Sequence, residues 1–162
     1  MSDITIRRAE AADQPALAAL MLESNRHYWG AWDGAEEMTD TAAQAIVNGQ
    51  SGVQAYLAME DDKPLGFATV TLLHPAPTAA GTLFLKDLYV SQAARRRGLG
   101  SLFMQALARI AQEQGCARFD WTAETDNPRA LDFYDDLGAE RVEEKVYFRL
   151  SGDLLRRVAD GP

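Results

Sequence analysis

Cysteine, histidine and long apolar runs are all scarce in this chain of 162 residues, which has one cysteine and two histidines. A single cysteine cannot form a disulfide within the chain. No His, Cys and Glu residues stand at the spacing of metal ligands, so we expect no metal. No stretch approaches the ~20 apolar residues that a membrane-spanning helix needs, and the N-terminus lacks the basic and apolar regions of a signal peptide. We therefore expect a cytoplasmic protein with no membrane partner.

Positive charge is also in short supply. The 16 lysines and arginines are outnumbered by 24 acidic residues, which gives a net charge of −8. Proteins that bind nucleic acid usually carry a basic surface, so this balance argues against nucleic acid and favours a cationic partner. The length and an apolar fraction of 47% fit one domain over residues 1–162 with one substantial core.

The densest basic cluster stands directly before two glycines, in the order Arg95, Arg96, Arg97, Gly98, Leu99, Gly100 and Ser101. An apolar strand over residues 83–90 precedes it, and an amphipathic helix over residues 98–114 follows. Unpaired N–H groups and the positive end of a helix favour an anion at such a place. This spacing indicates a cradle for a pyrophosphate, although an ordinary tight turn is the alternative for this motif alone.

A second motif lies about 30 residues downstream, over residues 127–139. Asn127 and Pro128 are typical of a helix start, and Gly138 is typical of its end. Together the two motifs resemble the GNAT superfamily of acetyl-CoA-dependent N-acetyltransferases, through Arg-x-x-Gly-x-Gly and Asn-x-x-Ala-x-x-Phe-Tyr-x-x-Leu-Gly. The resemblance implies an α/β fold, with a mixed, mostly antiparallel sheet of six to seven strands and about four helices. The alternating tail over residues 142–150 is predicted to close that sheet.

The resemblance also implies acetyl-CoA as the acetyl donor and a set of residues that bind it. Backbone groups of Leu88, Tyr89 and Val90 would pair with the pantetheine arm as an added strand does. The cradle from Arg95 to Ser101 would hold the pyrophosphate. Asn127, Arg129 and Ala130 of the second motif would contact the same cofactor, although Asn127 is equally suited to capping its own helix.

Acetyl transfer to an amine needs a group that takes the proton of the amine and a group that protonates the leaving thiolate. The resemblance assigns the second role to Tyr134. For the first role Asp87 and Glu124 both remain open. Strand alternation places Asp87 on the apolar face of Leu83, Leu85 and Tyr89, where desolvation would raise its carboxyl pKa, but a β-bulge would break this count.

Within the superfamily the chain looks like the diamine acetyltransferases, which act on spermidine, spermine, short diamines or thialysine. Lys86 departs from that branch, which usually has an acid there, and it favours an acceptor with a carboxylate beside its amine. Tyr28, Trp29 and Trp32 could hold an ammonium group, or could pack only against each other. We expect a small-molecule amine as partner and, by analogy, a homodimer. A protein or peptide acetyltransferase and a regulatory acetyl-CoA-binding module are the alternatives.

Overall fold

A computed structural model describes residues 3–75 and 79–161 of the chain. These residues form two compact units, one that extends to Thr122 and one that begins at Ala123. The proposal of a single domain over residues 1–162 stays a prediction. The two units are described separately below.

The first unit is built on a five-stranded sheet in which the strands follow one another in chain order. The first four strands are antiparallel neighbours, whereas the last strand runs parallel to the fourth. The strands are β1 (Ile4–Arg8), β2 (Gln54–Glu60), β3 (Lys63–Leu73), β4 (Gly81–Val90) and β5 (Cys116–Trp121). A parallel pair requires a crossover connection, and a helix supplies it between β4 and β5.

Three helices belong to the first unit, namely α1 (Gln14–Trp29), α2 (Ala35–Val47) and α3 (Leu99–Glu113). Pro15 lies in the first turn of α1, where a missing N–H has no partner to lose. The stripe predicted for α3 is largely buried, with Leu99, Phe103 and Leu107 in the core. None of the described helices has both the length and the apolar character needed to cross a bilayer.

The sheet of the first unit separates two apolar layers. On one face, α1 and α2 contribute Leu17, Leu20 and Ala43 to a buried cluster that also contains Phe67 and Tyr89. On the other face, the ring of Phe103 from α3 lies beside Gly66 of β3. Removing such side chains from water supplies most of the driving force for folding. The sheet is therefore covered by helices on both faces.

The second unit contains two short helices, α4 (Pro128–Asp136) and α5 (Gly152–Asp160). The Asn127 side chain accepts a hydrogen bond from the Ala130 N–H at 3.2 Å, and Gly138 adopts a left-handed φ of 77° just past the helix. The helix start and stop that the sequence predicts are thus confirmed.

Two predictions about the fold are wrong. The sheet has five strands rather than six or seven, because residues 142–150 form no strand in the described structure. Alternating apolar residues make a strand only when a neighbour accepts their backbone hydrogen bonds, and here Phe148 is 87% exposed. The described residues form five α-helices, where about four were expected, and α5 is the helix that was not predicted. Its signal is the amphipathic spacing of Leu154, Leu155 and Val158 after Ser151.

Candidate functional site

A β-bulge at Lys86 divides β4 into two parts. Leu85 pairs with Val70 of β3, but Asp87 pairs with Thr69, so Lys86 is the extra residue. A bulge moves all later side chains to the opposite face. Leu83 and Leu85 therefore lie on one face of the sheet, whereas Asp87 and Tyr89 lie on the other, beside the α1 and α2 layer.

The bulge overturns the prediction that Asp87 shares an apolar face with Leu83 and Leu85. Its side chain is 46% exposed. The buried hydroxyl of Thr69 donates a hydrogen bond of 2.5 Å to Oδ2 of Asp87, and Lys86 Nζ lies 3.5 Å from Oδ1. Asp87 is thus a hydrogen-bonded carboxylate open to solvent, with a cation beside it.

The second part of β4 has an open edge on the side of β5. That strand ends at Trp121, which pairs with Leu85, and residues 86–90 pair only with β3 within the described sheet. Backbone N–H and C=O groups on an unpaired edge can bind an extended molecule as if it were another strand. The edge contains Leu88, Tyr89 and Val90, the residues expected to bind pantetheine.

The open edge leads through a short loop to the start of α3. Arg96 and Gly98 both adopt left-handed backbone conformations, with φ of 65° and 73°. A Cβ at Gly98 would meet no atom within 4 Å, so glycine is needed there for its backbone conformation rather than for space. The Gly98 carbonyl accepts the Leu102 N–H at 3.1 Å, and the earlier N–H groups, from Leu99 to Ser101, remain available at the positive end of the helix.

The three arginines of this loop have different surroundings. Arg95 places its guanidinium 5.6 Å from the centre of the Tyr89 ring and donates to the Val90 carbonyl at 3.3 Å. Arg97 forms two hydrogen bonds with Glu60 at the end of β2, at 3.1 and 2.5 Å. Arg96 is exposed. No local pattern predicts the partnership of Arg97 with Glu60, because the two residues lie 37 positions apart.

The aromatic residues near the end of α1 divide into two groups. The Tyr28 ring lies 6.4 Å from the Tyr89 ring and 4.8 Å from His27, so the structure brings this predicted acceptor residue to β4. Trp29, in contrast, is 80% exposed. Among the described residues, neither Trp29 nor Trp32 takes part in the ring contacts around Tyr89. The role of Tyr28, Trp29 and Trp32 in binding an acceptor stays a prediction.

Glu23 joins this group, and sequence reasoning missed it. One of its oxygens, Oε1, accepts both the Tyr89 hydroxyl at 3.0 Å and the Gln92 N–H at 2.9 Å. Burial, reinforced by the hydrogen bond to Glu23, raises the pKa of the Tyr89 hydroxyl above its ordinary value of 10.0. The available signal was spacing, because Glu23 follows Leu17 and Leu20 at intervals of three on the buried stripe of α1.

The remaining predicted residues belong to the second unit. Tyr134 is half-buried on α4, with its ring 5.1 Å from that of Phe133. Glu124 is exposed, and its backbone carbonyl accepts the Asn127 N–H at 3.1 Å. Arg129 is exposed in the first turn of α4, next to Ala130, whose N–H bonds to Asn127. Asn127, Arg129, Ala130 and Tyr134 thus lie at the start and in the middle of α4, as their motif predicts, whereas Glu124 lies in the turn before the helix.

Comparison with known families identifies the chain. Residues 17–139 match the acetyltransferase (GNAT) family. The chain belongs to this family. The matched range includes the bulged strand, the loop before α3 and all of α4.

Relatives within the GNAT family include enzymes of small amines. The chain is 30% identical to the L-ornithine N5-acetyltransferase of Arabidopsis thaliana over 93 residues, which is 57% of this chain and 41% of the relative. It is 32% identical to the thialysine N-epsilon-acetyltransferase of Sus scrofa over 80 residues, 48% of this chain and 47% of the relative. The matches therefore cover less than half the length of these two relatives.

A solved structure confirms the GNAT fold over nearly the whole chain. An integron cassette protein from the mobile metagenome of V. cholerae is 38% identical and superposes with a TM-score of 0.89, covering 99% of both chains. The α/β fold expected from the sequence is thus confirmed, with the smaller strand count given above.

Proposed function

We propose that this protein transfers an acetyl group from acetyl-CoA to the primary amine of a small molecule, directly and within a ternary complex. One observation carries the proposal. The open edge of β4 leads through the loop over residues 91–98 to the unpaired N–H groups at the start of α3. This arrangement suits a molecule that is extended at one end and carries phosphates at the other, as acetyl-CoA does.

The donor would bind through backbone groups along its length. Its pantetheine arm pairs with Leu88, Tyr89 and Val90, and its pyrophosphate lies on the N–H groups from Arg96 to Ser101. The left-handed conformations of Arg96 and Gly98 support this placement, because alternating backbone conformations point successive N–H groups into one concave site. Asn127, Arg129 and Ala130 would add contacts from the second signature.

The acid and the base of the reaction would come from Tyr134 and one carboxylate. The amine nitrogen attacks the thioester carbonyl and forms the new C–N bond, and its proton passes to Asp87 or Glu124, directly or through water. The C–S bond then breaks, and the Tyr134 hydroxyl protonates the leaving thiolate. The hydrogen bond from Thr69 favours Asp87, since it fixes one oxygen and leaves the other turned toward Lys86.

Thiol release from acetyl-CoA tests the proposal, measured with a panel of spermidine, putrescine, thialysine, L-lysine, L-ornithine, aminoglycosides and lysine peptides. Turnover with a small amine is the expected result. Turnover with peptides alone would identify a protein acetyltransferase. Binding of acetyl-CoA without turnover on any amine would identify a regulatory module.

A further inference from the structure

A cleft of about 470 Å³ lies between α1 and the end of β4, within the first unit. Three side chains with polar groups line it from α1, namely Glu23, Arg26 and His27, and Tyr89 and Gln92 line it from the other side. The cleft therefore includes Tyr89 of the open strand and ends just before the loop of the three arginines. None of the sequence motifs points to Glu23 or Arg26.

Glu23 is held in position for a ligand. Its Oε1 accepts the two hydrogen bonds from Tyr89 and Gln92, which fix the carboxylate in the cleft. Its second oxygen, Oε2, accepts no hydrogen bond from any residue that the structure describes. A carboxylate fixed on one oxygen presents the other as a preorganised acceptor for an ammonium group.

The cleft also contains a cation. Arg26 lies one helical turn beyond Glu23, and its Nη2 donates to Glu36 at 2.9 Å. A guanidinium has five N–H donors, so this contact leaves others for a carboxylate ligand. Asp87, on the same face of β4 as Tyr89, likewise has a cation beside it in Lys86. The cleft is thus lined by both an acid, Glu23, and a base, Arg26, and the nearby carboxylate of Asp87 also has a basic neighbour.

Balanced charge of this kind disfavours a polycation, because every bound ammonium would approach Arg26 or Lys86. It suits a zwitterion. Building on the proposed function, we propose that the cleft binds the head group of an acceptor amino acid that carries a second amine. The α-ammonium group bonds to Glu23 and the carboxylate to Arg26, and the second amine is the one acetylated.

Kinetics with matched acceptors test this assignment. L-ornithine and L-lysine are compared with putrescine and cadaverine, which differ from them by the carboxylate alone. We expect kcat/KM to be at least tenfold higher for the amino acids. Arg26→Gln should remove this preference, because it raises the KM of the amino acids, which lose the partner of their carboxylate, and lowers the KM of the diamines, which no longer approach this cation. Glu23→Gln should raise the KM of all four acceptors, because each has a distal ammonium group.

The controls are Arg109→Gln and Glu113→Gln, which make the same changes at exposed positions of α3 and should leave all constants unchanged. The KM of acetyl-CoA and the melting temperature are measured for every variant. If Glu23→Gln changes only the KM of acetyl-CoA and the melting temperature, Glu23 merely connects α1 to the end of β4 and the loop after it. That result would overturn its assignment as the partner of the α-ammonium group. Equal use of amino acids and diamines by the wild type would overturn it as well.

Failure of the proposed function gives a different result, namely no thiol release with any amine. In that case, calorimetry of L-ornithine and putrescine with the intact protein decides the role of the cleft. Tighter binding of L-ornithine that is lost in Arg26→Gln would support the head-group site. Equal or absent binding would refute it.

Discussion

The two parts of β4 differ although they belong to one strand. Residues 82–85 pair with strands on both sides, and Leu83 is completely buried. Residues 87–90 pair with β3 only, and Asp87 is exposed, as is Lys86 at the bulge. One inserted residue separates a strand of the core from a strand of the candidate site. The part before Lys86, called the core part, therefore fixes the position of the part after it, called the site part. The site part has an unpaired backbone edge that is available to a ligand.

The largest expected difference between the two parts is in stability. Leu83→Ala should lower the free energy of unfolding by about 3 kcal/mol, because it removes a fully buried side chain and leaves a cavity. Leu88→Ala, at a half-buried position of the site part, should cost less than about 1.5 kcal/mol. Urea unfolding measures both. Equal losses of stability in the two variants would show that the site part contributes to the core as much as the core part does.

Alanine substitutions at two glycines test how closely the two parts of β4 are packed against their neighbours. A Cβ at Gly66 would lie 2.5 Å from the backbone oxygen of Tyr89, whereas a Cβ at Gly81 would lie 2.8 Å from the side chain of His74. Gly66→Ala should therefore cost about 2 kcal/mol, since the backbone of β4 must move. Gly81→Ala should cost about 1 kcal/mol or less, because the His74 ring can rotate. Thermal unfolding of the two variants measures both losses. A larger loss of stability in Gly81→Ala than in Gly66→Ala would contradict this expectation.

A substitution at Tyr134, in the second unit, should slow the chemical step without weakening the binding of the donor. Tyr134→Phe should reduce turnover at least tenfold, which corresponds to about 1.4 kcal/mol of transition-state stabilisation, and leave the affinity for acetyl-CoA nearly intact. Steady-state kinetics and calorimetry measure the two quantities. Tyr147→Phe, at an exposed position, is the control. Unchanged turnover in Tyr134→Phe would remove this residue as the acid.

The smallest effect concerns pH. The pKa of Tyr89 is raised in the folded protein, so the unfolded chain loses this proton first as the pH increases. The corresponding stability is complete below pH 10 and is lost as the pH rises from there through the folded pKa. Wild-type protein should thus lose more stability above pH 10 than Tyr89→Phe, as urea titrations would show. The exposed-site control, Tyr147→Phe, should lose stability with pH as the wild type does. If Tyr89→Phe also lost stability with pH as the wild type does, the raised pKa of Tyr89 would be contradicted.

Local signals in the sequence were sufficient for the elements around the two motifs. The strand predicted over residues 83–90, the helix predicted over residues 98–114 and the cap at Asn127 each depend on neighbouring residues, and all three are confirmed. The tail over residues 142–150 failed because alternation describes the residues of a strand but not whether a partner strand exists. Pairing of strands is a long-range property that a local pattern does not contain.

The candidate site was predictable where it depends on backbone conformation. The glycine-rich loop and the start of α3 follow from residue types in sequence order, whereas the face of Asp87 depends on the bulge at Lys86. No residue type marks a bulge clearly, and a single extra residue reverses the side on which a carboxylate lies. Glu23 was missed for a similar reason, because its contacts with Tyr89 and Gln92 bring together residues more than 60 positions apart.

The ion pair between Arg97 and Glu60 bears on product release under the proposed function. A phosphate that reaches Arg97 would share this guanidinium with a carboxylate already bound to it at two points. Part of the attraction between the loop and a nucleotide would thereby be cancelled, which would shorten the time that spent coenzyme A stays bound after each transfer. With its charge shared in this way, the proposed phosphate loop would capture a fresh donor and still let the used one leave quickly.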